Sequence, residues 1–341
     1  MDSKEKHTKI LFIRLWESSF IQNDLNILQE KFKVKVVDFS LNKKDPMRTF
    51  KTLFNMLIGI IWADIAFSWF AGDHSYLSVK LSKLFRKKSV VVIGGMEVAK
   101  IKELNYGYLN NPKTARKVKY VFENSDVIIA LTEILRNEAM ENYGVDGNNF
   151  EIIPTGFDYN TFQSKGEKED LVLTVGLVEK YERVKLKGID TFVKSAELLP
   201  NTKFVVNGVT GEALDKIKKI APPNVEFVGP LSFEELLALY QKSKVYCQLS
   251  MREGLPTAVC EAMLCECVPV GTNRYGIPIA IGDTGFYTEY GDVELTAEAI
   301  KKALDSNNGK KARERIKTRF NKESKEENLT KLIGRLTQTT S

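Results

Sequence analysis

Short apolar runs alternate with amphipathic stretches along most of this chain. KILFIRLW (9–16), VKVVDF (34–39), ADIAFSWF (63–70), SVVVIGG (89–95), DVIIAL (126–131) and FEIIPTG (150–156) have the length and continuity of buried strands. Runs of that kind suit strands covered on both faces, as in a parallel sheet. Helical periodicity fills several intervals: up to about Phe32, onward from Asp45-Pro46, over 76–88 and over 133–143. The most apolar run, FNMLIGIIWADIAFSWFAG (54–72), is interrupted by Asp64. It therefore divides into the end of a helix and a buried strand, since a membrane span needs about 20 apolar residues without such a charge.

Residues 158–170 are polar and read as a linker. The alternation then restarts. LVLTVG, KFVVNG, VEFVG, VYCQL and VPVGT are strands, with helices at about 188–199, 212–220, 232–242 and 257–266. Two doubly wound α/β domains follow from this pattern. From Thr296 on the chain is helical and strongly charged, and 321–336 carries only a narrow apolar stripe. Open α/β sheets bind ligands outside the carboxyl ends of their strands. That points to the loops at 14–19, 94–99, 176–187, 208–211 and 248–257.

Composition narrows the classes. A chain of 341 residues with 43% hydrophobic and 28% charged residues has room for two cores. The formal charge of +6 is spread evenly, 23 Lys+Arg against 19 Asp+Glu up to residue 160 and 27 against 25 after it. That excludes a dedicated nucleic-acid binder, while a mildly basic surface suits phosphates or an anionic membrane. Cys247, Cys260, Cys265 and Cys267 lack C-x-x-C spacing and read as small buried residues in a reducing compartment. His7 and His74 are the only histidines, so no metal site is expected. The N-terminus leads directly into a strand, with no signal peptide.

The chemistry concentrates in Arg252–Thr272, REGLPTAVCEAMLCECVPVGT. The pattern reads loop, helix, strand, with Pro256 in the first helical turn. Glu253 precedes the helix, and Glu261 lies inside it among small and apolar neighbours, where a carboxylate needs a partner. Free N–H groups and the helix dipole favour an anion at the helix start. An anion site with two acids suits a sugar attached to a phosphate. An ordinary αβ unit with a capped helix and one solvated glutamate fits the spacing equally well.

This segment resembles the E-x7-E signature of the retaining glycosyltransferases of family four, with Glu253 and Glu261 as its acids and GLP between them. IIPTGFDYNTF (152–162), LTVGLVEKYERVKLKGIDTF (173–192) and FVGPLSFEELLALYQKSKVYCQLSMREG (227–254) resemble that family's interdomain passage, donor-domain start and lead-in. The resemblance implies the GT-B fold: two doubly wound Rossmann-like domains facing across a cleft, with a C-terminal helix crossing back to the first. It divides the chain into an acceptor-side domain at 1–160, a nucleotide-sugar domain at 161–315 and the helix at 316–341. It implies Lys187 before Gly188 at the diphosphate, Glu261 at the ribose hydroxyls and Glu253 at the donor sugar. Gly254, Leu255, Pro256 and Thr257 would present backbone and a hydroxyl to sugar and phosphate, with Gly176 and Gly229 at the edge of the donor site.

There are departures from the family. Gly176 is followed by Leu177 instead of arginine, so Arg183, Lys180 or Lys185 is expected to supply that cation. RLWESSF (14–20) lacks the paired glycines, and IGGMEVAK (93–100) has Glu97 where a histidine is common. Gly95, Glu97 and His74 are the acceptor-side candidates. GTNRYGIP (271–278) lacks the usual acid after its proline.

The implied activity is transfer of a sugar from a UDP- or GDP-sugar to a glycan, lipid or small-molecule acceptor with retention, without metal or cofactor, in the cytoplasm. The alternatives are a nucleotide-sugar binding module without turnover and an epimerase or phosphorylase on the same fold. A peripheral contact with the cytoplasmic membrane face would use the basic, aromatic and apolar segments 48–70 and 80–88. Core packing plus a solvated helix face is the simpler reading of those segments.

Overall fold

The computed structural model describes residues 7–41 and 44–338, and the chain divides into two units. One runs up to Gly156 and resumes at Glu323; the other is Phe157–Lys322.

In the first unit, strands and helices alternate: β1 (Lys9–Arg14), α1 (Ser19–Lys31), β2 (Lys33–Asp38), α2 (Pro46–Trp62), β3 (Ile65–Trp69), α3 (Asp73–Leu84), β4 (Lys88–Ile93), α4 (Pro112–Asn124), β5 (Val127–Ala130), α5 (Glu133–Tyr143) and β6 (Phe150–Ile152). The strands form one parallel sheet in the order β2-β1-β3-β4-β5-β6, with Ile10–Ile13 in register with Ile65–Ser68. The apolar runs form central strands because both of their faces are covered. Ile10 to Ile13, Val90 to Ile93 and Val127 to Ala130 are all buried. β2 lies at the edge and exposes Lys33 and Lys35, charges that discourage pairing with another strand.

Helix starts follow local chemistry. Asp45 accepts from the Arg48 N–H with Pro46 in the first turn, and Asn111 accepts from Lys113 and Thr114 ahead of Pro112. Thr132 caps α5, which ends on Gly144 at φ +62°. The helix expected over 76–88 runs Asp73–Leu84, because Lys88 already pairs in β4. α2 departs further from expectation. Only Thr52, Met56, Gly59 and Ile60 are buried, while Met47, Phe50, Phe54, Ile58 and Ile61 are exposed. Core packing therefore accounts for Met56 and Ile60, with Leu53 against them, but not for the exposed Phe50, Phe54, Ile58 and Ile61.

The second unit repeats the architecture: β7 (Glu169–Val178), α6 (Tyr181–Lys187), α7 (Ile189–Ser195), β8 (Lys203–Val209), α8 (Gly211–Ile217), β9 (Val225–Val228), α9 (Phe233–Lys242), β10 (Ser243–Gln248), α10 (Thr257–Leu264), β11 (Val268–Thr272), α11 (Gly276–Ile281), β12 (Phe286–Thr288), α12 (Val293–Leu304) and α13 (Gly309–Arg319). Its parallel order is β12-β11-β10-β7-β8-β9. The short edge strand β12 adds a sixth member to the five runs read from sequence. Val172, Phe192, Phe204, Val245, Val270 and Ile300 centre its core. Ser232 and Glu235 start α9 with a reciprocal capping box.

α14 (Lys322–Gln338) carries the chain back to the first unit, which it joins from Glu323. Leu329, Leu332 and Ile333 are buried, and the Lys325 ammonium lies 3.3 Å from Asp24 of α1. The Trp69 indole also donates to Asp24, at 3.1 Å. Both charges are buried, so removing one partner costs about 3–5 kcal/mol. The boundary expected at 316 falls inside α13; the change of unit comes after Lys322.

Candidate active site

Residues 252–272 fold as loop, helix and strand. Pro256 takes the cap position just before α10, one place ahead of the expected first turn, and Thr257 opens the helix. Gly254, Leu255 and Pro256 are buried, and Thr257 is half-buried.

Glu253 is the focus of this loop. Its Oε1 accepts from Lys187 Nζ at 2.7 Å, Ser250 Oγ at 2.7 Å and Gln248 Nε2 at 3.1 Å. The lysine is delivered from α6 by two backbone features. Gly188 ends that helix at φ +66°, and a Cβ there would lie 2.1 Å from the Leu249 carbonyl oxygen. Only glycine allows that approach. The Met251 N–H then donates to the Leu186 carbonyl at 2.8 Å. The end of α6 is thereby fixed against the exit of β10.

The 271–278 loop braces the same turn from the other side. The Gly276 N–H donates to the Glu253 carbonyl at 3.1 Å, and a Cβ on Gly276 would lie 1.8 Å from the Gly254 oxygen. Arg183 is half-buried one turn before Lys187 on the same face of α6, while Lys180 and Lys185 are exposed.

Glu261 lies mid-way along α10 and keeps part of its surface open. The buried Tyr240 hydroxyl donates to its Oε2 at 3.1 Å. Loss of water pushes its carboxyl up to about 7, and the tyrosine opposes that rise. Gly176 is buried, with Ile189 Cδ1 only 3.0 Å from where its Cβ would stand. Gly229 is exposed with open space around it, and its carbonyl accepts from Asn207 Nδ2 at 2.6 Å.

The first-unit candidates sit differently. Glu97 is fully buried, and its carboxylate accepts from the N–H groups of Gly95 at 2.8 Å and of Ala71 and Gly94 at 3.3 Å. Gly95 takes φ +120° to make this contact. The acid thus pins the loop after β4 to the loop after β3. His74 is buried, with Nε2 2.6 Å from the Trp69 carbonyl, so it acts as a donor there. Desolvation lowers its pKa to about 4, which keeps it neutral.

Gln248, Ser250 and Tyr240 escaped sequence reading. So did an aromatic shelf at the carboxyl ends of β1 and β3, where Trp16 stacks on Phe70 at 5.0 Å with Phe20 alongside. Phe70 holds a left-handed backbone, φ +67°, an uncommon conformation for a bulky residue. All four cysteines are buried thiols, and burial raises the pKa of each. Among the described residues, no group of three or more His, Cys, Asp or Glu is placed to hold a metal ion.

Residues 159–323 match the family model of the glycosyl transferases group 1. An uncharacterised glycosyltransferase of Methanocaldococcus jannaschii is 26% identical over 306 residues, which is 83% of this chain and 72% of that one. A Campylobacter jejuni alpha-1,4-N-acetyl-D-galactosaminyltransferase is 36% identical over 123 residues, 35% of this chain and only 33% of that relative. Its name gives a PP-undecaprenol-linked glycan as the molecule it acts on. The Anabaena protein HepE, solved with UDP and glucose, superposes with a TM-score of 0.79 at 14% identity, covering 96% of this chain and all of that one. The fold is GT-B. The matches support a glycosyltransferase.

Proposed function

We propose that this protein is a retaining glycosyltransferase that moves a hexose from a nucleoside-diphosphate sugar to a glycan or lipid-linked acceptor. The observation that carries the reading is the pair Lys187–Glu253 at 2.7 Å, one helix start away from the desolvated Glu261. Breaking the bond from the anomeric carbon to phosphate leaves its electron pair on the diphosphate. A cation delivered by a rigid helix end stabilises that charge without reorganising. Lys187 supplies it, and Arg183 on the same face adds to it. Glu261 accepts the two ribose hydroxyls, which replace the water it has lost.

The acceptor oxygen attacks the face the phosphate is leaving, and its proton passes to the departing phosphate oxygen. No protein nucleophile and no metal is required. The buried thiols suit a reducing compartment and hence the cytoplasm. Glu253 keeps Lys187 oriented until the diphosphate arrives.

The test is a melting and calorimetry panel of UDP, GDP and ADP with their sugar forms, on wild type, Lys187→Ala and Glu261→Gln. A ligand that binds only folded protein raises the melting temperature. One nucleotide is expected to bind wild type and to lose at least tenfold in affinity in each variant. UDP comes first, because the HepE structure holds it. Transfer or slow hydrolysis of the matching sugar nucleotide then separates an enzyme from a binding module. Well-folded wild type that binds none of the panel refutes the donor reading.

A further inference from the structure

The outward face of α2 is a feature that the donor site does not use. Its orientation is set by packing. A Cβ on Gly59 would fall 2.5 Å from Leu11 Cδ1, so the helix is seated closely on the sheet there. Thr52, Met56 and Ile60 follow the same inner face. The opposite face is then forced outward, and it is apolar. Met47 is 76% exposed, Phe50 65%, Phe54 51%, Ile58 46% and Ile61 47%. These positions recur at helical spacing along about four turns, and the Phe50 and Phe54 rings stack at 6.1 Å. Single exposed apolar residues are ordinary, whereas a continuous stripe marks a docking surface.

The charge around the stripe selects its partner. α2 carries Arg48 and Lys51, both exposed, and no acidic residue. On the neighbouring edge strand, Lys33 and Lys35 are exposed, and the Lys35 ammonium lies 4.2 Å above the Trp62 ring. Between helix and strand runs a groove of about 610 Å³ lined by Lys35, Arg48, Lys51, Phe54 and Ile58. Asp38, also on its rim, is engaged by Arg14 at 2.6 Å. An apolar stripe flanked by cations, with a half-buried tryptophan, is the composition of an interfacial helix. A second copy of the chain is the poorer occupant, because a two-fold contact on this face would oppose Arg48, Lys51 and Lys35 with themselves. None of the described helices is long and apolar enough to cross a membrane, so the contact is with a surface.

We propose that α2 docks this protein peripherally on an anionic bilayer. Phe50, Phe54, Ile58 and Ile61 enter the boundary between headgroups and acyl chains, and Arg48, Lys51 and Lys35 meet lipid phosphates. The inference is independent of the donor reading, since it uses no residue of that site.

Flotation of the full chain with vesicles tests it. Vesicles of phosphatidylcholine with about a third phosphatidylglycerol should bind the wild type, and pure phosphatidylcholine should bind it far less. Phe50→Gln/Phe54→Gln should weaken binding at least tenfold with an unchanged melting temperature, because both side chains are exposed. Arg48→Gln/Lys51→Gln should weaken it further on anionic vesicles, by roughly fivefold per charge, and should reduce its salt sensitivity. Three results would overturn the proposal: absence of wild-type binding to anionic vesicles, binding that survives the double phenylalanine change, or a dimer in sedimentation velocity that this change dissociates.

Discussion

Glu97 and Glu253 each follow a strand of a parallel sheet, yet the two units employ them differently. Glu97 is fully buried, and its partners are backbone N–H groups of its own loop and of the loop after β3. Burial pulls its carboxyl upward, and those N–H groups pull it back. Glu253 is held by side chains from α6, from the end of β10 and from its own loop, and all three donors share Oε1. A carboxylate enclosed by backbone fixes a loop. One that shares a lysine with solvent nearby holds a charge that a ligand can take over. The lysine side chain keeps 34% exposure and Glu253 16%, whereas Glu97 is fully buried.

The sharpest way to break this comparison is to exchange the consequences. Glu253→Gln should lower kcat about a hundredfold, because a misplaced Lys187 no longer meets the developing charge. Lys187→Ala should cost on the order of 10²–10³. Both variants should melt near wild type. If Glu253→Gln instead melts early and the folded fraction turns over normally, Glu253 is a structural brace like Glu97.

The second effect is on stability. Glu97→Ala leaves three buried N–H groups without their acceptor, at about 1–3 kcal/mol for each that stays dry. A net loss of roughly 3 kcal/mol is expected, read by urea unfolding, with turnover of the remaining folded protein within a few-fold of wild type. Turnover that collapses while stability holds would place Glu97 at the acceptor.

Much of this was legible in the chain. Central strands such as 10–13 and 90–93 announced themselves because burial on both faces leaves no polar positions. Glu253 and Glu261 were legible as local spacing, and Lys187-Gly188 through the family resemblance. Gln248 and Tyr240 were not, because the turn after β10 folds Glu253 back on Gln248 and the packing of α9 against α10 brings Tyr240 to Glu261. α4 was overlooked despite Asn111 and Pro112, since it buries only Val118, Val121 and Phe122. α2 shows the limit most clearly. With apolar residues on every side, its periodicity cannot say which face meets the sheet, and the contact of Gly59 with Leu11 decides it.

The smallest expected effect concerns Glu261 and runs in two directions with pH. Its folded-state pKa, about 7, lies above the ordinary 4.5, so the folded chain holds this proton more tightly than the unfolded one. The stability this provides is present below the unfolded value and is lost as pH rises through about 7. Its size is at most roughly 2 kcal/mol once partial exposure is allowed for. Nucleotide affinity should move the opposite way. Hydroxyl donors need the carboxylate, so affinity should rise up to about tenfold per pH unit below 7 and level off above it. Calorimetric titration and thermal melting between pH 5.5 and 8.5 should therefore give crossing trends in wild type. Both trends should flatten in Glu261→Gln. A wild-type affinity that stays level across that window would remove Glu261 from the ribose and leave it, like Glu97, as an acid that only holds its neighbours in place.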